Sequence, residues 1–262
     1  MDLVNIEEVR KYLKFYTRHF SNDNELHHLY RGVFYSPELC DYVVILCTAL
    51  EYPKEVIYNA IEIFDRFIIL HLQSATIEER LATFDKPYLE SKRSVMLALL
   101  TVLQLVTKLI HRYSRLGTVC VKCILSCLGY EFDESVILHS EMCALNVLQN
   151  SLTHQTLEGC VELIVALCKQ YDKDVTFPMK DELVYFVYGK YRHLIVKLKK
   201  CHIFPESSIH MDFVLGFSIL LACFILNEQI HKIGLLDFVI NLLGIVKKED
   251  IRKASFVLYD LI

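Results

Sequence analysis

Residues Ser94 to Arg112 read SVMLALLTVLQLVTKLIHR, and fourteen consecutive positions from Ser94 to Thr107 carry no charge. Apolar side chains recur in this run at every helical angle, so a helix here has no face to offer water and has to be enclosed by others. An uncharged run this short falls under the roughly 20 residues that span a bilayer, so the central pillar of a bundle is the expected reading and no membrane partner is expected. At the far end Lys108, His111 and Arg112 return the helix to water.

The rest of the chain suits such a pillar. It has 262 residues, of which 53% are hydrophobic, with only eight Gly and five Pro. That leaves ample core material and too few turn residues for a hairpin-rich sandwich, so the expected fold class is all-α. A net charge of −4 and a pI near 6.3 argue against a protein that lives by wrapping nucleic acid. Direct DNA binding is not expected, although the total leaves room for local basic patches. The opening MDLVNIEEVRKYLKFY lacks the pattern of a secretory signal, and the ten cysteines read as reduced thiols at helix-core positions. Cys120, Cys123 and Cys127 fall on one face of an apolar helix with no second CxxC, so they read as small core residues rather than zinc ligands. No phosphate loop, nucleophile elbow or HExxH is present; neither an enzyme nor a cofactor is expected.

Around the pillar, Ile6 to Phe20 reads as an amphipathic leader helix. Ser36-Pro37-Glu38 is a good helix start, with a cap residue, a first-turn proline and an acid at the positive end. Lys54 to Leu72 follows, then a polar stretch to Arg93 read as a loop with one helical turn at 77–83. After the pillar, helices are expected over Gly117–Leu128, from Asp133, and over Leu157–Gln170, Glu182–Lys200, Leu235–Leu243 and Glu249–Leu261. A second uncharged run, Phe213 to Asn227, suggests an internal repeat. Sliding the chain by 115 puts Leu128-Gly129 on Leu243-Gly244, Glu134 on Glu249, Val136 on Ile251 and Ser140 on Ser255. Within one residue it also lays the second uncharged run over the first. Two five-helix bundles, each around a buried helix, are the simplest architecture with that offset.

Three runs carry a resemblance. Glu55-Val-Ile-Tyr-Asn-Ala-Ile-Glu-Ile-Phe-Asp65-Arg66-Phe67 resembles the second helix of a cyclin box. Leu103-Gln-Leu-Val-Thr-Lys108-Leu109 is similar to the end of its central helix, and the run from Val136 through Glu141 to Leu148 to its fifth. Ser36-Pro-Glu-Leu-Cys-Asp-Tyr-Val, Leu128-Gly129-Tyr130 and the short interval from Lys108 to Glu141 most resemble the divergent cyclin N-terminal-domain-containing proteins that promote meiotic crossovers. The resemblance implies an all-α chain of two tandem five-helix cyclin-like bundles, the second degenerate. A leader would occupy 1–35, the first box 36–152 and the second bundle 153–262. It implies a non-enzymatic partner of a cyclin-dependent kinase and of meiotic recombination factors, located in the nucleus on meiotic chromosomes. The lysine and glutamate with which cyclins seize the kinase's mobile helix fall on Lys108 and Glu141. Three departures stand beside this. The arginine that pairs with the second-helix aspartate falls near Ser36, the chain has no tryptophan for a substrate-docking patch, and Asn150 replaces a usual phenylalanine.

The residues themselves point the same way. A lysine at a helix C-terminus and a glutamate on a helix are ordinarily solvated. The 115 slide lays Lys108 on Cys223 and Glu141 on Phe256, so the bundle is expected to close without these charges. Leu105 and Leu109 flank Lys108, while Leu138, Leu145 and Leu148 share the stripe of Glu141. Charges among leucines suit an interface, and the expected kinase-binding set is Lys108, Glu141, Leu105, Leu109 and Leu145. The alternatives are an adaptor that has lost its kinase and, more distantly, a helical enzyme or lipid-binding bundle. Lys190, Arg192, Lys197, Lys199 and Lys200 make one helix end basic, with solvation the expected reading and DNA or an acidic partner the alternative.

Overall fold

The computed structural model describes residues 32, 35–74, 92–110, 116–148, 156–203 and 208–262. The expected leader helix, the turn at 77–83 and Asn150 lie outside them. The fold is all-α, and the described residues contain ten α-helices in two compact units. In chain order they are α1 (Pro37–Ala49), α2 (Lys54–Ser74), α3 (Lys92–Ile110), α4 (Thr118–Cys127), α5 (Glu134–Val147), α6 (Leu157–Tyr171), α7 (Lys180–Lys200), α8 (Ser208–Leu226), α9 (Ile233–Leu243) and α10 (Lys248–Tyr259). One unit holds α1 to α5 apart from Pro37, the other α6 to α10 with Tyr35–Pro37. The described residues therefore divide between 148 and 156, around the expected boundary at 152/153.

In the first unit α3 is the pillar. Its residues from Leu97 to Thr107 are all buried, and α2, α4 and α5 pack against it. Length and composition alone would let α3 cross a membrane, but here it is enclosed by its neighbours. Its first turn is tied down by Arg93, which donates to the Glu131 carbonyl and lies 4.2 Å over the Phe132 ring. Two local signals end and start the neighbouring helices as expected. Pro37 opens α1, and Gly129 stops α4 in the left-handed region with φ +80, letting the Tyr130 amide reach back 2.9 Å to the Leu125 carbonyl. Asp65, in the second helix, is fully buried and accepts a hydrogen bond of 2.8 Å from the Gly32 amide.

The second unit repeats this plan. Its pillar α8 has 19 residues, as α3 has, and is buried from 211 to 224 by α6, α7, α9 and α10. Helix α7 matches α2 at 21 residues, and Gly244 ends α9 at φ +63 in the place of Gly129. Where the third and fifth helices touch, both units use a buried hydroxyl. Thr101 Oγ1 donates to the Leu97 carbonyl at 2.6 Å and pairs with Ser140 Oγ at 3.0 Å, while Ser218 Oγ meets the Val214 carbonyl at 2.6 Å and the Ile251 carbonyl at 3.2 Å. Gly216 faces α6, where an added Cβ would sit 3.1 Å from Ile164 Cδ1 and 3.4 Å from Val161 Cγ2, so the missing side chain sets how closely α6 approaches the pillar.

The repeat is real at the level of helices, but its register is not a uniform 115. Ile137, Ser140, Glu141 and Ala144 are the buried stripe of α5, and Ile251, Ala254, Ser255 and Leu258 that of α10, a shift of 114. Helix α8 begins 116 after α3, and the buried pair Val121 and Leu125 of α4 maps onto Leu236 and Ile240 at 115. The shift changes from helix to helix, from 120 for α1 and α6 and 126 for α2 and α7 to 116, 115 and 114 for the later pairs. Glu141 therefore corresponds to the buried Ser255, not to Phe256, and Phe256 corresponds to the exposed Met142.

The cysteines also need correction. Cys40, Cys47, Cys160, Cys168 and Cys223 are buried, but Cys123 and Cys127 are exposed and Cys120 half-exposed. Helix α4 is apolar nearly all round, so its sequence did not reveal that Val121 and Leu125 form the inward stripe. Burial pushes the thiols of Cys40, Cys47, Cys168 and Cys223 up to about 12. In native protein at pH 7.5, iodoacetamide followed by mass spectrometry should therefore mark Cys123 and Cys127 first. Those four thiols should react only after unfolding, and labelling of Cys47 or Cys168 at the rate of Cys123 would contradict the packing. Gly234, in α9, has nothing within 4 Å of an added Cβ, so Gly234→Ala should raise the unfolding free energy by up to about 1 kcal/mol. Overpacking predicts that Gly216→Leu lowers it by about 1–3 kcal/mol, with denaturant midpoints as the readout.

Candidate functional site

Lys108 stands in the last turn of α3 and Glu141 near the middle of α5, both in the first unit. The Thr101–Ser140 hydrogen bond joins the two helices just before these positions. A helical side chain leans toward its own N-terminus, so the Lys108 stem runs back along α3 toward α5. Its Nζ donates to Glu141 Oε1 in an ion pair. The lysine side chain is 45% exposed and the glutamate 11%, so the pair sits at the rim, with the carboxylate beneath and the ammonium outermost. The negative end of α3 favours the cation there.

An apolar collar surrounds the pair. Leu109 follows Lys108 and is exposed, and on α5 Leu138 and Met142 are exposed on either side of Glu141. Leu145 is half-buried. Leu105 and Leu148 do not belong to this surface, because both are buried in the bundle. Spacings of three and four put residues on a common stripe without saying which stripe looks outward, and on the pillar exposure begins only at Lys108. Met142 is the residue the sequence reading missed; an apolar side chain directly after the glutamate was its only signal.

In the second unit the place of Glu141 is taken by Ser255, whose hydroxyl donates to the Arg252 carbonyl at 2.9 Å. That of Lys108, at the shift of 116 between the pillars, is taken by the buried Phe224. The same helical plan thus closes without an ion pair there, and the argument that the fold does not require these charges survives with different counterparts. Chemically the site offers a part-exposed ammonium backed by a carboxylate, within reach of three apolar side chains. Such a surface suits one turn of an amphipathic helix that brings both polar backbone ends and an apolar side chain. Among the described residues no three His, Cys, Asp or Glu side chains are arranged to hold a metal ion.

Glu141 is nearly covered while Lys108 is part-exposed, so Lys108→Met, which leaves the carboxylate unpaired, should lower the unfolding free energy by about 1–3 kcal/mol, read from the denaturant midpoint. A loss several times larger would make the pair a strut of the bundle rather than a surface group. No family model, no curated protein and no solved structure matches this chain.

Proposed function

We propose that this chain is a non-enzymatic, cyclin-like regulator that grips a helix of a cyclin-dependent kinase through Lys108 and Glu141. Its setting is the promotion of meiotic crossover formation at recombination sites on chromosomes in the nucleus. The observation that carries the reading is the pairing itself. Two charges 33 positions apart in sequence meet where the last turn of the third helix reaches the middle of the fifth, with Leu109, Leu138 and Met142 exposed next to them in sequence. The cyclin-like runs in α2, α3 and α5 support it, as does the doubled five-helix plan, and they add the partner class and the meiotic setting. The partner helix replaces water over the carboxylate, and Lys108 and Glu141 each acquire a polar end of that helix to satisfy.

A second reading is an adaptor of the same fold that scaffolds recombination or other nuclear complexes without a kinase. Asn150, standing where kinase-binding cyclins usually carry a phenylalanine, favours it. Co-purification of the full chain with a panel of cyclin-dependent kinases separates the two. On the first reading the wild-type chain retains at least one kinase, and the double charge reversal Lys108→Glu with Glu141→Lys loses it. Loss of one member of a desolvated charged contact typically costs about 2–5 kcal/mol, or some thirtyfold and more in affinity. Retention of the kinase by the double variant would reject the grip, and meiotic function without any bound kinase would favour the adaptor.

A further inference from the structure

The fifth helices of the two units present the same outward positions with different chemistry. At the shift of 114, Leu138, Met142 and Leu145 of α5 are replaced in α10 by Arg252, Phe256 and Tyr259. Phe256 is 76% exposed and Tyr259 56%. Phe256 points directly away from the stripe Ile251, Ala254, Ser255 and Leu258 that α10 buries. A large aromatic left in water at the centre of a helix face is costly for the isolated chain and marks a contact surface.

What lies beside it decides the partner. Helix α7 packs along α10, and Lys197 Nζ reaches Asp260 Oδ2 at 2.8 Å. Asp260 lies four residues after Phe256, so the aromatic stands about one helical turn from a contact with the last turns of α7. Those turns are strongly basic. Between 183 and 205 the chain has five Lys and Arg and no acid, within a protein of net charge −4. Lys197 is engaged by Asp260, but Lys190, Arg192, Lys199 and Lys200 are exposed without an ion-pair partner among the described residues. Arg192, Val196, Lys199 and Lys200 follow at spacings of four and three, which gives them one outward face.

We infer that this joint face of α7 and α10 binds single-stranded nucleic acid. The phosphates run along Arg192, Lys199 and Lys200, and a base stacks on Phe256 with Tyr259 beside it. Cations alone would suit any polyanion, and the dipole of α7 already accounts for some of them. Exposed aromatics next to them add what an unpaired base offers and an acidic peptide lacks, a flat π face. Overall acidity does not oppose this, because an anion is attracted by the local segregation of charge rather than by the total. The inference concerns the second unit and stands apart from the proposed kinase grip.

Fluorescence anisotropy of the full chain with labelled 20-mers of deoxythymidine and of uridine tests it, alongside a duplex of equal length and polyglutamate. Binding of the single strands at low salt, weakening steeply as salt rises, is the expected result. Preference for the deoxy or the ribo strand assigns DNA or RNA as the ligand. Arg192→Glu with Lys199→Glu and Lys200→Glu should weaken binding by at least tenfold. Phe256→Ala, which removes an exposed side chain and so leaves the melting curve unchanged, should weaken it by about five- to a hundredfold. The inference is overturned by absence of binding or by equal affinity for polyglutamate or duplex. It is equally overturned by an unchanged affinity of Phe256→Ala, or by co-sedimentation with phosphatidylserine vesicles in place of oligonucleotide binding.

Discussion

A helix that is apolar on every side has to be roofed by other helices, and that requirement shapes this protein twice. In α3 the run from Leu97 to Thr107 leaves no sector for water, so α2, α4 and α5 are held to it by the burial of large aliphatic and aromatic groups. The same demand recurs in α8, met by α6, α7, α9 and α10. Polar groups in these interiors mostly meet a partner, the buried Gln104 Oε1 being an exception. Thr101 and Ser218 each spend their hydroxyl on their own helix and on the fifth helix, which satisfies the group and fixes where the fifth helix lies.

Because the two units share one plan, each serves as a control for the other. Positions that are apolar or small in both are explained by packing, as with Ile137 and Ile251 or Ala144 and Leu258. Positions that differ in chemistry while remaining at the surface ask for another explanation. Lys108 is a partial case, the one exposed member of the set it forms with Glu141, Phe224 and Ser255. The outward face of the fifth helix is another, aliphatic in α5 and aromatic with a cation in α10. One fold thus carries two surfaces of different character, and neither is needed to keep its bundle closed.

Helices, their order and the two uncharged pillars were legible in the chain itself, and Lys108 and Glu141 stood out there as one contact site rather than as partners of each other. Uncharged runs, first-turn Pro37, and Gly129 and Gly244 after their helices are local signals, because they act through the conformations of a few adjacent residues. What eluded the sequence was orientation. Cys123 and Cys127 looked like core and lie outside, while Leu105 looked like an interface residue and lies inside. On a helix apolar over most of its circumference, periodicity cannot tell which sector faces the neighbours. The even slide of 115 failed for a related reason. Helices and connections of different length put the five pairs at shifts from 114 to 126, and only burial shows that the stripe of α5 matches that of α10 at 114.

By itself, then, the sequence determined that the chain is all-α, that two uncharged helices each gather a bundle, and where most helices begin and end. Those properties follow from composition, periodicity and capping within short stretches. Tertiary structure alone decided that Phe256 stands in water beside the basic end of α7, that Met142 joins the collar of the ion pair, and that Leu105 does not. The physical reason is that exposure is a property of neighbours. A side chain's own chemistry sets what its burial is worth, but whether it is buried depends on which helix arrives to cover it.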